Sequence, residues 1–205
     1  MDINWYGYAC FRIREPGMAI ITDPFGLALP RVRADVVTFS QPCDQENRPT
    51  GIRGSPPFLQ TPGEYEIGGV FITGILTSEN QLPTEPPNIT YVYDWDGLRV
   101  CHLGKLQQEL GQNHIELLDQ VNVLLIPVDH KATISADQAA EIINTIEPNI
   151  VIPMHYSGHG PEHTSSWLAK LADAMGTSLP KEQESIRVNT SHLPEEPQIV
   201  LLTCK

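Results

Sequence analysis

The chain has 205 residues, of which 40% are hydrophobic and 19% are charged, so we expect one globular domain, residues 1–205, with a substantial core. The net charge of −12 and the sequence pI near 4.9 argue against nucleic acid and membrane surfaces as partners. Four cysteines without a Cys-x-x-Cys pair indicate reduced thiols. With no apolar leader or membrane-spanning run in the sequence, we expect a cytoplasmic protein.

The chain opens with short strands separated by glycine and proline turns. Apolar and β-branched residues predict them at Ile3–Tyr8, Cys10–Arg14 and Ala19–Thr22, and a further buried strand at Val36–Phe39. The proline-containing segments Leu27–Ala34 and Arg48–Pro57 are predicted to be a loop and a connection.

A dense polar loop, Ser40–Asn47, follows the strand at Val36–Phe39. Pro42 prevents this loop from continuing as a strand or as a helix. Loops at strand ends commonly carry the chemistry of α/β proteins, so this loop is the first candidate for a functional site.

Further strands are predicted in the middle of the chain. Thr61–Gly74 contains two strands around a Gly-Gly bend, and Ile89–Trp95 and Leu98–His102 form a hairpin across Asp96-Gly97. The segment Ser78–Asn88 contains three prolines and is predicted to be an irregular loop.

Helices and buried strands alternate in the second half of the chain. The predicted strands are Val123–Val128, Asn149–Met154 and Ile199–Thr203, and the predicted helices are Asn113–Gln120, Ser135–Ile146 and Thr164–Met175. Ser135 and Gln138 have the spacing of a capping box. A strand-rich first half followed by this alternation predicts two facing sheets, with the last two helices packed on the outer face of one of them.

Several motifs together resemble the metallo-β-lactamase-fold metal-dependent hydrolases, in particular their small bacterial members. They are Gly7-Tyr8-Ala9-Cys10-Phe11, Thr22-Asp23-Pro24-Phe25, the run Pro62–Gly74, His102-Leu103-Gly104-Lys105 and Met154-His155-Tyr156. The resemblance extends over roughly residues 1–156. It implies an α/β (α+β) fold, namely the αββα four-layer sandwich.

The resemblance also identifies the positions at which the family carries its metal ligands. In the family, the strand before the polar loop runs into a His-x-His-x-Asp-His motif, a histidine follows the second sheet run, a bridging aspartate comes next, and a last histidine closes the set. The corresponding residues of this chain are Gln41, Cys43, Gln45, Glu46, Glu79, Lys105 and His155. Only His155 keeps the family's residue type.

These substitutions predict a dismantled metal site. A protonated lysine is not a metal ligand, and glutamine amides bind zinc poorly. We therefore expect no metal cofactor. The alternative is one zinc ion at an altered site formed by Cys43, Glu46, Glu79 and His155.

The resemblance places Asp23, Tyr8 and His102 near the pocket of the former metal site. We expect His102 to be a hydrogen-bonded structural histidine rather than a catalytic base. We also expect the Lys105 ammonium to replace the missing metal charge by pairing inside the pocket with Asp23, Glu46 or Glu79.

The sequence therefore favours an inactive homologue of a metal-dependent hydrolase, with a binding or structural role in a protein assembly. The expected partner is another protein or a second copy of this chain. The rival hypotheses are a metal-dependent hydrolase with a reduced metal site and a metal-free enzyme that uses Cys43 or His155.

Overall fold

Two mixed β-sheets face each other across an apolar core whose largest side chains include Trp5, Phe11, Tyr91 and Tyr93. The structure is a computed structural model that describes residues 1–78, 86–118, 120–128, 133–155 and 161–205, with side chains described from residue 167 onward in the last range. The two facing mixed sheets confirm the predicted arrangement.

The first sheet has six strands. They are β1 (Asp2–Trp5), β2 (Phe11–Glu15), β3 (Met18–Thr22), β5 (Val36–Thr38), β7 (Phe58–Leu59) and β14 (Ile186–Arg187). Their order is β14-β1-β2-β3-β5-β7, and β3, β5 and β7 run parallel to one another. Alternation along β1 points Ile3 and Trp5 into the core.

The second sheet has seven strands. They are β8 (Gly63–Ile67), β9 (Val70–Leu76), β10 (Ile89–Trp95), β11 (Leu98–His102), β12 (Val123–Pro127), β13 (Ile150–Met154) and β15 (Gln198–Ile199). Their order is β15-β13-β12-β11-β10-β9-β8, and the hairpin of β10 and β11 has the predicted bounds. Neighbouring strands in the part β11-β12-β13-β15 are parallel. Every residue of β12 and β13 is buried, which is typical of parallel strands covered on both faces.

Three helices and one 3₁₀ turn complete the described part of the chain. They are α1 (Gln112–Leu117), α2 (Ala136–Ile146), α3 (Pro161–Ala174) and the turn Thr190–His192. The predicted capping box begins α2, because the Gln138 N–H donates to Ser135 Oγ at 3.2 Å and the Ser135 N–H donates to Gln138 Oε1 at 2.9 Å. Helices α2 and α3 contact each other and add apolar side chains to the core. None of the described helices is both long enough and apolar enough to cross a membrane.

A two-stranded parallel ribbon replaces two segments that the sequence predicted to be a loop and a connection. Its strands are β4 (Ala28–Arg33) and β6 (Thr50–Arg53). The prediction was wrong because Leu29 and Val32 have an apolar surface to cover, the outer side of β3 and β5. Pro30 is tolerated because the ribbon's register shifts between Ala28 and Val32.

Candidate functional site

A pocket of about 270 Å³ lies where the strands of both sheets end. Its polar wall is formed by residues that follow four strands: Asp23 after β3, Ser40 and Gln41 after β5, Lys105 after β11, and His155 after β13. Because parallel strands end at the same edge of a sheet, the topology brings these residues together although they are distant in sequence.

Asp23 is the most firmly held member of the polar wall. The Ser40 backbone N–H donates to its Oδ1 at 2.6 Å, and the Ser40 hydroxyl donates to its Oδ2 at 2.5 Å. Burial raises the pKa of Asp23 above its ordinary value, although His102 and the Ser40 hydrogen bonds act in the opposite direction. Asp23 also has a left-handed backbone with φ of 41°, which is uncommon for a residue with a side chain.

His102 lies buried behind this wall and is not among the residues that line the pocket. Its Nε2 donates to the Ala9 carbonyl at 2.9 Å, and its Nδ1 accepts from the Gly104 N–H at 3.2 Å. The two bonds assign the neutral ring with its proton on Nε2. Burial lowers the pKa of His102, despite the nearby Asp23 carboxylate. The ring therefore joins the turn after β1 to the loop after β11.

Lys105 is positioned by its backbone rather than by its side chain. Its N–H donates to Asn88 Oδ1 at 2.8 Å, and the Asn88 amide donates to the Leu103 carbonyl at 3.0 Å and to Thr77 Oγ1 at 2.8 Å. The preceding Gly104 has φ of 64°, and a Cβ there would lie 2.4 Å from Ser40 Cβ. Only glycine fits this position, because the loop packs its backbone directly against Ser40 and Asn88.

The expected ion pair between Lys105 and an internal acid is absent from the described part of the chain. Both carboxylate oxygens of Asp23 accept hydrogen bonds from Ser40, and no ion pair joins Asp23 to Lys105. Glu46 is exposed and does not line the pocket. The prediction was therefore wrong for these two acids, and Glu79 lies outside the described residues. The half-buried Lys105 side chain lines the pocket without an ion pair to any described acid.

The polar loop after β5 brings only one of its four predicted site residues to the pocket. Gln41 lines it, and its amide reaches the Pro86 carbonyl at 3.5 Å, the long limit of a hydrogen bond. Cys43 lies against the apolar cluster between the ribbon and the first sheet, where burial raises the pKa of its thiol. Gln45 and Glu46 are exposed. A raised thiol pKa disfavours Cys43 as a nucleophile.

Tyr8 and His155 are neighbours in the lining of the pocket. The His155 N–H donates to the Tyr8 carbonyl at 3.1 Å, and the two rings meet edge to face with centroids 6.5 Å apart. Both residues have positive φ, 48° and 65°. With Asp23, this makes three pocket residues other than glycine that have a left-handed backbone. Such clustering is typical of functional sites.

The structure thus joins Gln41, Lys105 and His155 with Asp23 and Tyr8 in one pocket, whereas Cys43, Gln45 and Glu46 do not line it. His102 does not line it either, but it lies near Asp23. Sequence reasoning missed the roles of Ser40 and Asn88. A polar residue at the end of a buried strand was a signal for Ser40. No local signal marked Asn88, because its partners come from two other segments of the chain.

The described donor set does not fit a di-metal centre. Around the pocket stand an amide, an ammonium, one imidazole and a carboxylate that already accepts two hydrogen bonds. Within the described ranges, no three His, Cys, Asp or Glu side chains come together as a metal-binding group. That finding includes the described members of the alternative zinc site, which are Cys43, Glu46 and His155.

A larger groove of about 390 Å³ lies on the outer side of the first sheet, away from these residues. Its walls carry Arg12, Arg14 and Arg33 among several acids. Arg14 pairs with Asp2 at 3.1 Å and Arg33 pairs with Asp35 at 2.9 Å, so most of its charge is compensated within the chain. None of the sequence-predicted site residues lines it.

The chain belongs to the β-lactamase superfamily, since the family model described as the β-lactamase superfamily domain matches residues 2–155. A UPF0173 protein of Pyrococcus abyssi is 28% identical over 185 residues, which cover 78% of this chain and 85% of the relative. A UPF0173 metal-dependent hydrolase of Methanopyrus kandleri is 24% identical over 198 residues, which cover 78% of this chain and 86% of the relative.

Solved structures agree on the fold. A candidate Zn-dependent hydrolase of the metallo-β-lactamase superfamily from Thermotoga maritima has a TM-score of 0.76 and 27% identity, with 98% of this chain and 97% of the other covered. The metallo hydrolase Igni18 from Ignicoccus hospitalis has a TM-score of 0.64 and 15% identity, with 92% and 99% covered. The predicted metallo-β-lactamase fold is therefore confirmed.

Proposed function

We propose that this chain is a metal-free member of its family, without hydrolase activity, that serves a binding or structural role in a protein assembly. One observation carries the proposal. Lys105, at the position where the family pattern has its bridging aspartate, lines the same pocket as Gln41 and His155.

The positive charge of this lysine disfavours a metal ion in the pocket. Two unit charges 4 Å apart interact by about 4 kcal/mol at an effective dielectric constant of 20, so an ammonium would repel a divalent ion at that distance by about 8 kcal/mol. Among the described pocket residues, Asp23 is the one acid, and both of its oxygens already accept from Ser40, while Gln41 is neutral. The pocket is therefore better suited to an anion or a neutral group than to two cations.

The proposal is tested by elemental analysis of protein purified without chelators. We expect no stoichiometric zinc, iron or manganese, and no hydrolysis of phosphodiester, thioester or lactone substrates when these metals are added. Lys105→Asp, which returns a carboxylate to the position, should restore neither metal binding nor hydrolysis, because the first-loop ligands are still missing. About two ions per chain together with metal-dependent turnover would overturn the proposal.

The relatives named metal-dependent hydrolases favour a second candidate, a hydrolase with a reduced metal site. The same measurement separates the two. One tightly held zinc ion per chain would support the second candidate, and Cys43→Ser and His155→Ala should then each lower the metal content.

The assembly role predicts a protein interface on this chain. A protein without turnover is useful to a cell through what it binds, so we expect an interface of more than about 1,000 Å² with another protein or with a second copy of this chain. Light scattering of the purified protein, combined with affinity capture from its native cell, measures this directly. A strict monomer without a co-purifying partner would contradict the assembly role.

A further inference from the structure

We propose that the pocket beside Lys105 binds a small organic monocarboxylate, with the ammonium as its counter-ion. The inference rests on the proposed function, because it requires a pocket that holds no metal. It begins from a charge that is in no ion pair with a described acid, the Lys105 ammonium at the pocket.

The backbone around Lys105 is held more tightly than a surface lysine requires. Asn88 fixes its N–H at 2.8 Å, and Gly104 lets the loop pack against Ser40 with no space for a Cβ. The root of the side chain is therefore fixed at the pocket wall. Because the root is fixed, the ammonium stays within one side-chain length of the pocket.

Gln41 supplies a second donor. Its Nε2 makes only the long 3.5 Å contact with the Pro86 carbonyl, so its N–H groups can turn to a ligand at small cost. An ammonium and an amide N–H on one wall can each donate to one oxygen of a carboxylate.

The rest of the pocket is suited to an apolar body. Phe25, Leu27, Ala9 and the ring of Tyr8 complete its lining. The volume of about 270 Å³ is slightly below the range of typical ligand pockets, which indicates a compact molecule such as a short-chain or aromatic acid.

The charge balance favours a monoanion over a phosphate. The pocket presents one ammonium, that of Lys105, and the Asp23 carboxylate also lines it. Each oxygen of Asp23 accepts a bond from Ser40, so its charge is partly compensated within the wall. A dianion would bring a second negative charge without a second cation to meet it, in a protein whose net charge is already −12.

The probes are butyrate, hexanoate, benzoate and phenylacetate, with their primary amides as neutral analogues and inorganic phosphate as a competing anion. Binding to the full chain is measured by ligand-observed NMR and calorimetry, before and after treatment with a chelator. We expect at least one carboxylate to bind, its amide and phosphate to bind far more weakly, and the chelator to change nothing.

Variants connect this binding to the pocket. Lys105→Met should weaken carboxylate binding by about tenfold to a hundredfold, the usual effect of losing a charged hydrogen bond. Lys105→Arg should retain most of the affinity. The matched control is Lys181→Met, which removes an exposed lysine and should leave binding unchanged. A thermal melt of each variant checks that it is folded.

The outcomes separate this inference from the proposed function. Metal-free protein that binds no carboxylate, or that binds it equally well as Lys105→Met, overturns the inference and leaves the proposed function standing. Tighter binding of phosphate also overturns it. Carboxylate binding that disappears with the chelator overturns both, because the carboxylate would then be a metal ligand. Metal-independent binding that requires Lys105 supports both.

Discussion

The buried wall of the pocket and the loop that follows β5 are held in different ways. The wall around Asp23 and His102 is buried, and both side chains bond to a distant segment of the chain. Asp23 accepts from the backbone N–H and the hydroxyl of Ser40, and His102 Nε2 donates to the Ala9 carbonyl. The loop from Gln41 to Asn47 is mostly exposed. Two short bonds tie it to distant segments, one from the Cys43 N–H to Gln60 Oε1 at 3.1 Å and one from the Gly26 N–H to the Asn47 carbonyl at 2.8 Å, while the bonds between Asp44 and Asn47 are local.

The difference shows where this fold can change its chemistry. A substitution in the buried wall leaves unpaired polar groups or steric clashes, so it affects the whole fold. A substitution in the exposed loop changes a side chain at the surface and little else. The fold can therefore accommodate Gln41, Gln45 and Glu46 at the former ligand positions without a loss of stability.

Gly104→Ala should have the largest effect. The new Cβ would lie 2.4 Å from Ser40 Cβ and 2.6 Å from Asn88 Oδ1, in a backbone with φ of 64°. We expect a loss of about 3–4 kcal/mol in the free energy of unfolding, measured with urea. The control is Gly97→Ala, with φ of 85° but nothing within 4 Å, which should cost only about 1 kcal/mol. Equal losses in the two variants would show that the packing at Gly104 is looser than described.

Asn88→Ala should destabilise the protein by about 2–3 kcal/mol, because the Lys105 N–H, the Leu103 carbonyl and Thr77 Oγ1 lose a buried partner. Asn47→Ala is the matched change in the exposed loop, where the amide bonds only to Asp44, and it should cost about 0.5 kcal/mol or less. If the two asparagine variants unfold at the same urea concentration, the buried and the exposed region do not differ as described.

The pH dependence of stability should reveal the buried His102. Its pKa in the folded protein is lower than the 6.5 of the unfolded chain, so the unfolded state binds more protons below pH 6.5. Stability from this group is therefore fully present above pH 6.5 and is lost as the pH falls, with a slope of at most about 1.4 kcal/mol per pH unit.

The test is the difference in unfolding free energy between the parent and His102→Gln from pH 7 to pH 5. We expect this difference to shrink as the pH falls, because only the parent carries the buried imidazole. Taking the difference also removes most of the contribution of Asp23, whose raised pKa acts in the opposite direction. The exposed His192→Gln serves as control and should give a constant difference. A parent curve parallel to that of His102→Gln would mean that His102 is not kept neutral by burial.

Lys105→Met should have the smallest effect on stability, within about 0.5 kcal/mol of the parent, because the side chain has no described ion-pair partner to lose. A buried ion pair would instead cost about 3–5 kcal/mol when one partner is removed. Urea unfolding therefore decides between an internal pair and a charge available to a ligand. A loss of several kcal/mol would restore the original expectation of a pair inside the pocket.

Local patterns in the sequence were sufficient for most of the elements. The hairpin of β10 and β11 followed from Asp96-Gly97, and the beginning of α2 followed from Ser135 and Gln138, because turns and caps depend on neighbouring residues. The resemblance to the family placed Gln41, Lys105 and His155 at one pocket, and each of the three follows the end of a strand.

Only the tertiary structure decided which side chains the pocket contains and how its charges are met. The ribbon of β4 and β6 forms because the first sheet has an apolar outer surface, which no local pattern reveals. Ser40 donates to Asp23, and Asn88 accepts from the Lys105 N–H, in contacts between residues 17 positions apart in the chain. Residue types and spacing cannot determine such pairings, because each acceptor has several possible donors and the packing of the sheets selects one of them.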